Sequence, residues 1–256
     1  MKNLRALIKK ECMEQLRSGR LLITFALFIL LGIMNPAIAK MTPWLLDLMA
    51  DSLQESGITV SGVVVSAMDS WVQFFKNLPI AMVAFVLLQC SVFTKEYVSG
   101  TLLLSLTKGL SRPKVVISKA ILLLVIWSVG YWLCFIITYL YNMYFWDNSV
   151  AQNLLLSVIC WWLFGLFIIS IITLFSTLSS SNIGVLCGVG AVVLLSYVVG
   201  LIPKISKYLP TMLTDGNSLI YGIAEAKAYI TAIIVTVILT VASFAVGIPI
   251  FNKKQL

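Results

Sequence analysis

The chain has 256 residues, 60% of them hydrophobic and only 11% charged, whereas a soluble domain carries roughly 25% charged residues. A mean hydropathy of +1.02, with several apolar runs that reach the roughly 20 residues a helix needs to cross a bilayer, excludes a soluble globule. The net charge of +8 fits basic residues that orient spans and meet anionic lipid rather than nucleic acid, and the absence of histidine removes the commonest general base and metal ligand.

Residues 2–20, KNLRALIKKECMEQLRSGR, have helical periodicity but too many charges to span. Leu4, Leu7, Ile8, Cys12 and Leu16 share one face, and Lys2, Lys9, Lys10, Glu14 and Arg17 cover much of the rest. The pattern predicts an amphipathic helix in the headgroup plane, not a cleavable signal. Six apolar spans follow, over 21–39, 78–93, 120–145, 154–178, 183–202 and 228–251. The second is short, with Pro79 near its start, and Trp71 to Phe75 could extend it outward. The expected fold is all-α, a single transmembrane domain over 1–256 with no soluble domain.

Lysine and arginine bias sets the orientation. With the N-terminus inside, 13 of the 18 basic residues fall in 1–20, 94–119, 179–182 and 252–256, and seven of the ten acidic residues fall outside. Both termini are therefore expected in the cytoplasm. None of the five cysteines falls in an outer segment, so no structural disulfide is expected. In the long outer loop 40–77, Thr42-Pro43 is suited to cap a short amphipathic helix, with Trp44, Leu45, Leu48, Met49 and Leu53 on one face and Asp47, Asp51 and Glu55 on the other. Trp71, Phe74 and Phe75 suit the aromatic belt. The mixed segment 203–227, with Pro203, Pro210, Gly216 and Gly222, reads as a short broken helix turned back toward the membrane.

The six spans contain no Asp, Glu, Lys, Arg or His. Intramembrane ionisable residues mark proton relays and gating charges, so a proton-coupled transporter and a voltage sensor are disfavoured. Intramembrane catalysis is disfavoured too: no serine–histidine pair is available, and no paired carboxylates or metal-ligand clusters occur within the spans. Asn35, Gln89, Ser157, Trp161 and Trp162 are assigned to helix–helix packing rather than to a substrate path. The chain has no GxxxxGK[ST] loop, so energy for any transport must come from a separate protein.

The segment FTKEYVSGTLLLSLTKGLSRPKVVISKA, residues 93–120, is the most charged internal stretch. Its local pattern predicts a helix over 95–108, a stop at Lys108-Gly109, and a second helix that Ser111-Arg112-Pro113 opens. Gly100, inside the first helix, marks either a bend or the close approach of another backbone. The segment resembles the cytoplasmic signature of the type-2 family of ATP-binding-cassette permeases: a glutamate, then Gly-Thr-Leu, a leucine-rich stretch, Ser-Arg, and a lysine opening the next span. The matching positions are Glu96, Gly100, Thr101, Leu102, Ser111, Arg112 and Lys119. Lys108-Gly109-Leu110 departs from the proline that many relatives carry before Ser-Arg.

The resemblance implies that 94–119 is a coupling helix that seats in a groove of a cytoplasmic ATPase. It implies two ATPase copies, which hold ATP and magnesium, and a second permease copy or a paralogue; no cofactor is expected in this chain. Glu96 is the candidate partner of a base in the N-terminal helix, and Arg112 and Lys119 the candidate anchors to phosphate headgroups or to the ATPase. The expected function is ATP-driven export, from a bacterial plasma membrane, of a hydrophobic or amphipathic peptide, antibiotic or lipid-like molecule, as in peptide-antibiotic resistance. A membrane sensor or immunity module that binds an outside ligand through 40–77 and 203–227 is the alternative.

Overall fold

A computed structural model describes residues 2–49, 64–98, 100–101, 107 and 111–254. Among them the secondary structure is helical throughout. The longer elements are α1 (Lys2–Arg17), α2 (Arg20–Leu48), α3 (Ala67–Gln89), α4 (Ser91–Val98), α5 (Arg112–Phe145), α6 (Leu154–Leu178) and α7 (Asn182–Gly200). After α8 (Pro203–Ser206), a 3-10 turn (Pro210–Thr214) and α9 (Gly216–Ile220), the chain ends in α10 (Ala226–Lys253). Six segments are long and apolar enough to cross a membrane: α2, α3 with α4, α5, α6, α7 and α10.

Two of these run further outward than the hydropathy pattern predicts. α3 starts at Ala67 because Ser66 and Asp69 form a capping box: the Ser66 hydroxyl accepts from Met68 N, and Asp69 accepts from Ser66 N at 2.8 Å. The extension through Trp71 to Phe75 is thus real, and Pro79 lies in the helix interior rather than near its start. α2 continues through Pro36 and Pro43 to Leu48, so the separate cap at Thr42-Pro43 does not form. The Thr42 hydroxyl instead donates to the Ile38 carbonyl one turn back. Positions 50–63, including the rest of the expected amphipathic helix, lie outside the described residues.

The core is an aromatic seam between α2, α3, α5 and α6. Trp127 packs edge-on against Phe28 and Phe85, at centroid distances of 5.7 and 5.3 Å, and leans on Tyr131; Trp71, Phe74 and Phe135 continue the stack. Between helices in lipid the driving force is close packing rather than release of water, and edge-to-face rings supply it. α6 reaches Trp127 through Gly165, where an added Cβ would lie 2.1 Å from the indole.

At the end where residues 203–225 lie, short elements close over α6. Trp161 Nε1 donates to the Thr214 carbonyl at 2.8 Å, the Tyr229 hydroxyl to the Asp215 carbonyl at 2.9 Å, and Gln152 N to the Ile220 carbonyl at 3.0 Å. The segment is broken into short helical pieces, with Leu213, Leu219 and Ile220 buried against the bundle and residues 203–208 largely exposed. The assignment of the uncharged polar residues to packing holds. Asn35 joins Thr138 and Asn77 across three helices, Ser157 reaches the Gly216 carbonyl, and Trp162 donates to Ser128.

A candidate coupling site at the charged end of the bundle

α1 lies against α5 and α2 at the opposite end of the bundle. The most deeply buried residues of α1 are Leu7, Glu11 and Gln15, spaced four residues apart, while Ile8 and Cys12 of the sequence stripe are half-buried. Leu16 is 46% exposed, whereas Glu11 and Gln15 are each 4% exposed. Two polar side chains replace apolar ones on the packed face because each meets a partner. Gln15 Nε2 donates to Gln89 Oε1 at 2.9 Å, and Gln89 Nε2 donates to the Thr24 hydroxyl at 3.2 Å, which joins α1, α3 and α2.

Glu11 meets Lys119. The ammonium is 1% exposed and lies 2.8 Å from Glu11 Oε2, 3.1 Å from Glu96 Oε2 and 3.0 Å from the Val92 carbonyl. Three acceptors match its three protons. Lys10 closes the group from the solvent side, 2.5 Å from Glu96 Oε1 and 3.7 Å from Glu11 Oε1. Two ammonium groups thus balance two carboxylates, which is the condition for burying charge without a large desolvation cost. Burial pushes the Glu11 carboxyl above the usual carboxylate range, against the opposing pull of Lys119. At Lys10 burial acts downward, but the hydrogen bond and charge of Glu96, with Glu11 and Glu14, raise it above the ordinary lysine value.

A second pair, Lys95 and Glu14 at 3.0 Å, sits on the rim with side chains 50% and 36% exposed. Carboxylate oxygens of Glu11, Glu14 and Glu96 converge within 4.8 Å. Each of the three is met by an ammonium, from Lys119 and Lys10 or from Lys95, so the positive charge of this group comes from the chain itself.

The expected pairing of Glu96 with a base of the N-terminal helix is present, and the base is Lys10. The expected anchoring of Lys119 to headgroups or to another protein is not: its ammonium is consumed inside the bundle. Arg112 also turns inward. Its Nη1 donates to the carbonyls of Phe251, Asn252 and Lys254 at 3.3, 3.1 and 2.6 Å. This is a basic side chain closing the C-terminus of α10, where unpaired carbonyls carry the negative end of the helix dipole.

Ser111 occupies the N-cap position of α5, and Pro113 lies in the first turn, as the Ser-Arg-Pro spacing predicts. Gly100 resolves its two alternatives. Its φ is +67°, and an added Cβ would meet nothing within 4 Å among the described residues, so it marks a bend and not a close backbone approach. The continuous helix expected over 95–108 is therefore interrupted: α4 ends at Val98, and Gly100 turns the chain in the left-handed region that L-residues avoid. Thr101 and Thr107 have helical backbone, while Leu102 and the leucines up to 106 lie outside the described residues.

The start of the segment is fixed from two more sides. The Thr94 hydroxyl donates to Asn182 at the start of α7, and the Tyr97 hydroxyl donates to the Ser176 carbonyl in α6 at 3.0 Å. A short charged segment is therefore held between α1, α5, α6, α7 and α10 in a bundle whose other contacts are largely apolar.

The family model for ABC-2 family transporter proteins matches residues 5–256. The chain belongs to that family. No curated protein matches it. As an ABC-2 protein with six apolar helices it is a multi-pass membrane protein, and the family implies an ABC ATPase as its partner. Glu96 and Lys119, at the two ends of the stretch 96–119, meet in the charged cluster, together with Lys10 and Glu11 of α1. Sequence reasoning missed Glu11 and the Gln15–Gln89–Thr24 chain. The available signal was the Leu7-Glu11-Gln15 spacing, which places a carboxylate and an amide on a face with leucine.

Proposed function

We propose that this ABC-2 protein is the permease subunit of an exporter, and that residues 94–119 receive ATP-driven motion from two copies of a separate cytoplasmic ATPase. The observation that carries the reading is the Lys119 ammonium, at the end of this segment, bound at once to Glu11 of α1, to Glu96 near the start of the segment and to the Val92 carbonyl just before it. A displacement of the segment is then passed to α1, α4 and α5 together, because separating any of them uncovers a buried charge. The basic excess at this end supports a cytoplasmic position for it and for both termini. ATP and magnesium belong to the ATPase, since this chain has no nucleotide loop. A second copy of the permease, or a paralogue, completes the path.

Spans without ionisable residues at their centres suit hydrophobic or amphipathic cargo, such as a peptide, an antibiotic or a lipid-like molecule. The test is purification of the tagged protein from its native membranes, followed by reconstitution. An ATPase with a P-loop should co-purify, the permease alone should hydrolyse no ATP, and proteoliposomes with both should move a fluorescent amphipathic peptide only with ATP. ATP-independent behaviour with no co-purifying ATPase would favour a membrane sensor instead.

A further inference from the structure

The structure brings a third element to the coupling segment that the family signature does not contain: the last turn of α10. Arg112, in the second half of the segment at the start of α5, points one guanidinium nitrogen at the carbonyls of Phe251, Asn252 and Lys254. Tyr97, near the start of the segment in α4, packs its ring against Phe251 at 6.4 Å and lies beneath the Lys254 ammonium, 4.3 Å from the ring centroid. Phe251 is 1% exposed. Among the described residues Lys254 Nζ is buried without a hydrogen-bond acceptor, and the Tyr97 ring face meets its charge. Phe251, Asn252 and Lys254 at the end of the sixth span thus bind both helical arms of the segment, Arg112 by carbonyl oxygens and Tyr97 by a ring and a cation.

We infer that residues 251–254 are a clasp that closes the coupling segment at its base, with Arg112 as the positioning residue, so that the segment and the sixth span move as one body. This rests on the exporter reading for its consequence in transport, but not for the clasp itself. The geometry explains why a basic residue stands at 112. Its Nη1 shares two protons among three carbonyls at a helix C-terminus, where carbonyls run out of intrahelical partners. It also gives the sixth span a path into the cycle. α10 packs along α6, and its last turn is the part that touches the segment's arms.

The experiment places spin labels at Lys114→Cys and Asn252→Cys in the full chain, with the accessible native thiols Cys12 and Cys187 replaced by alanine. Distances between the labels are read by pulsed electron resonance in nanodiscs. Without any ATPase, a narrow distribution is expected in the otherwise unaltered chain, a broad one in Arg112→Ala, and a narrow one again in Arg112→Lys, which keeps a cationic donor. A distribution in Arg112→Ala as narrow as in the parent overturns the clasp, whatever the fate of the exporter reading. In the complex with the co-purified ATPase, the distance should stay unchanged between nucleotide-free and vanadate-trapped states. A shift on trapping would show that the sixth span does not travel with the segment and would overturn the single-body inference. Arg112→Ala should also lower peptide flux per ATP severalfold while ATPase co-purification stays intact; unchanged flux per ATP would remove Arg112 from coupling. If no ATPase co-purifies with the parent chain, the exporter reading fails, and the nanodisc distances still decide the clasp.

Discussion

Lys119 and Glu11 are 108 positions apart in sequence, and their charged atoms meet at 2.8 Å in a site from which solvent is almost excluded. The pair joins the first helix of the chain to the third span. Because Glu96 shares the same ammonium, α4 is held in the same lock.

Lys119→Met should therefore destabilise the protein strongly. Removing one partner of a buried ionic group leaves the others uncompensated, at a cost of about 3–5 kcal/mol. Thermal unfolding of the detergent-purified protein should show a large drop in Tm for Lys119→Met, and adding Glu11→Gln should recover part of it. A single variant as stable as the parent would contradict the buried lock.

Lys95→Ala should be nearly silent in the same assay. Its bridge to Glu14 joins two half-exposed side chains, and such surface pairs contribute below about 1 kcal/mol. The contrast with Lys119 separates burial from the mere presence of an ion pair.

Lys10 gives a pH dependence. Its folded value lies above the ordinary one through Glu96 and the neighbouring carboxylates, in spite of burial. The associated stability is fully present below the unfolded lysine value and is lost as pH rises through the higher folded value. Melting temperatures of parent and Lys10→Met should differ at neutral pH and converge under strongly alkaline conditions. A difference that does not shrink with pH would reject the charge-based origin.

Gly100→Ala should lower stability by roughly 1–2 kcal/mol, the cost of a left-handed conformation in an L-residue. Space is open around the missing Cβ, so the effect is conformational rather than steric. Gly100→Asn should cost less, because asparagine tolerates that region. Equal melting curves for the two variants would argue against a left-handed turn.

Gly165→Ala tests the aromatic seam. Its new methyl would lie 2.1 Å from the Trp127 indole, and overpacking of this kind costs about 1–3 kcal/mol. The expected result is a lowered Tm and a changed Trp fluorescence spectrum, with the loss of Tm relieved by shrinking the partner with Trp127→Leu.

The class of this protein, its apolar spans and the singular character of residues 93–120 were legible in the amino-acid order, because a bilayer imposes hydropathy on each segment independently of its neighbours. Helix ends were less so. α3 begins a dozen residues before its apolar run because of a capping box, and α2 passes two prolines without stopping. The destinations of the charges were decided only by the tertiary structure. Arg112 and Lys119 look from their sequence neighbours like interface anchors, yet one closes the last helix and the other is buried between two glutamates. Glu11 sits in a stretch whose charge pattern suggests a solvated face, yet it is among the most buried charged residues described. The reason is physical. Hydropathy is read residue by residue, but a buried charge is stable only where distant elements bring it a partner, and packing alone determines which distant elements meet.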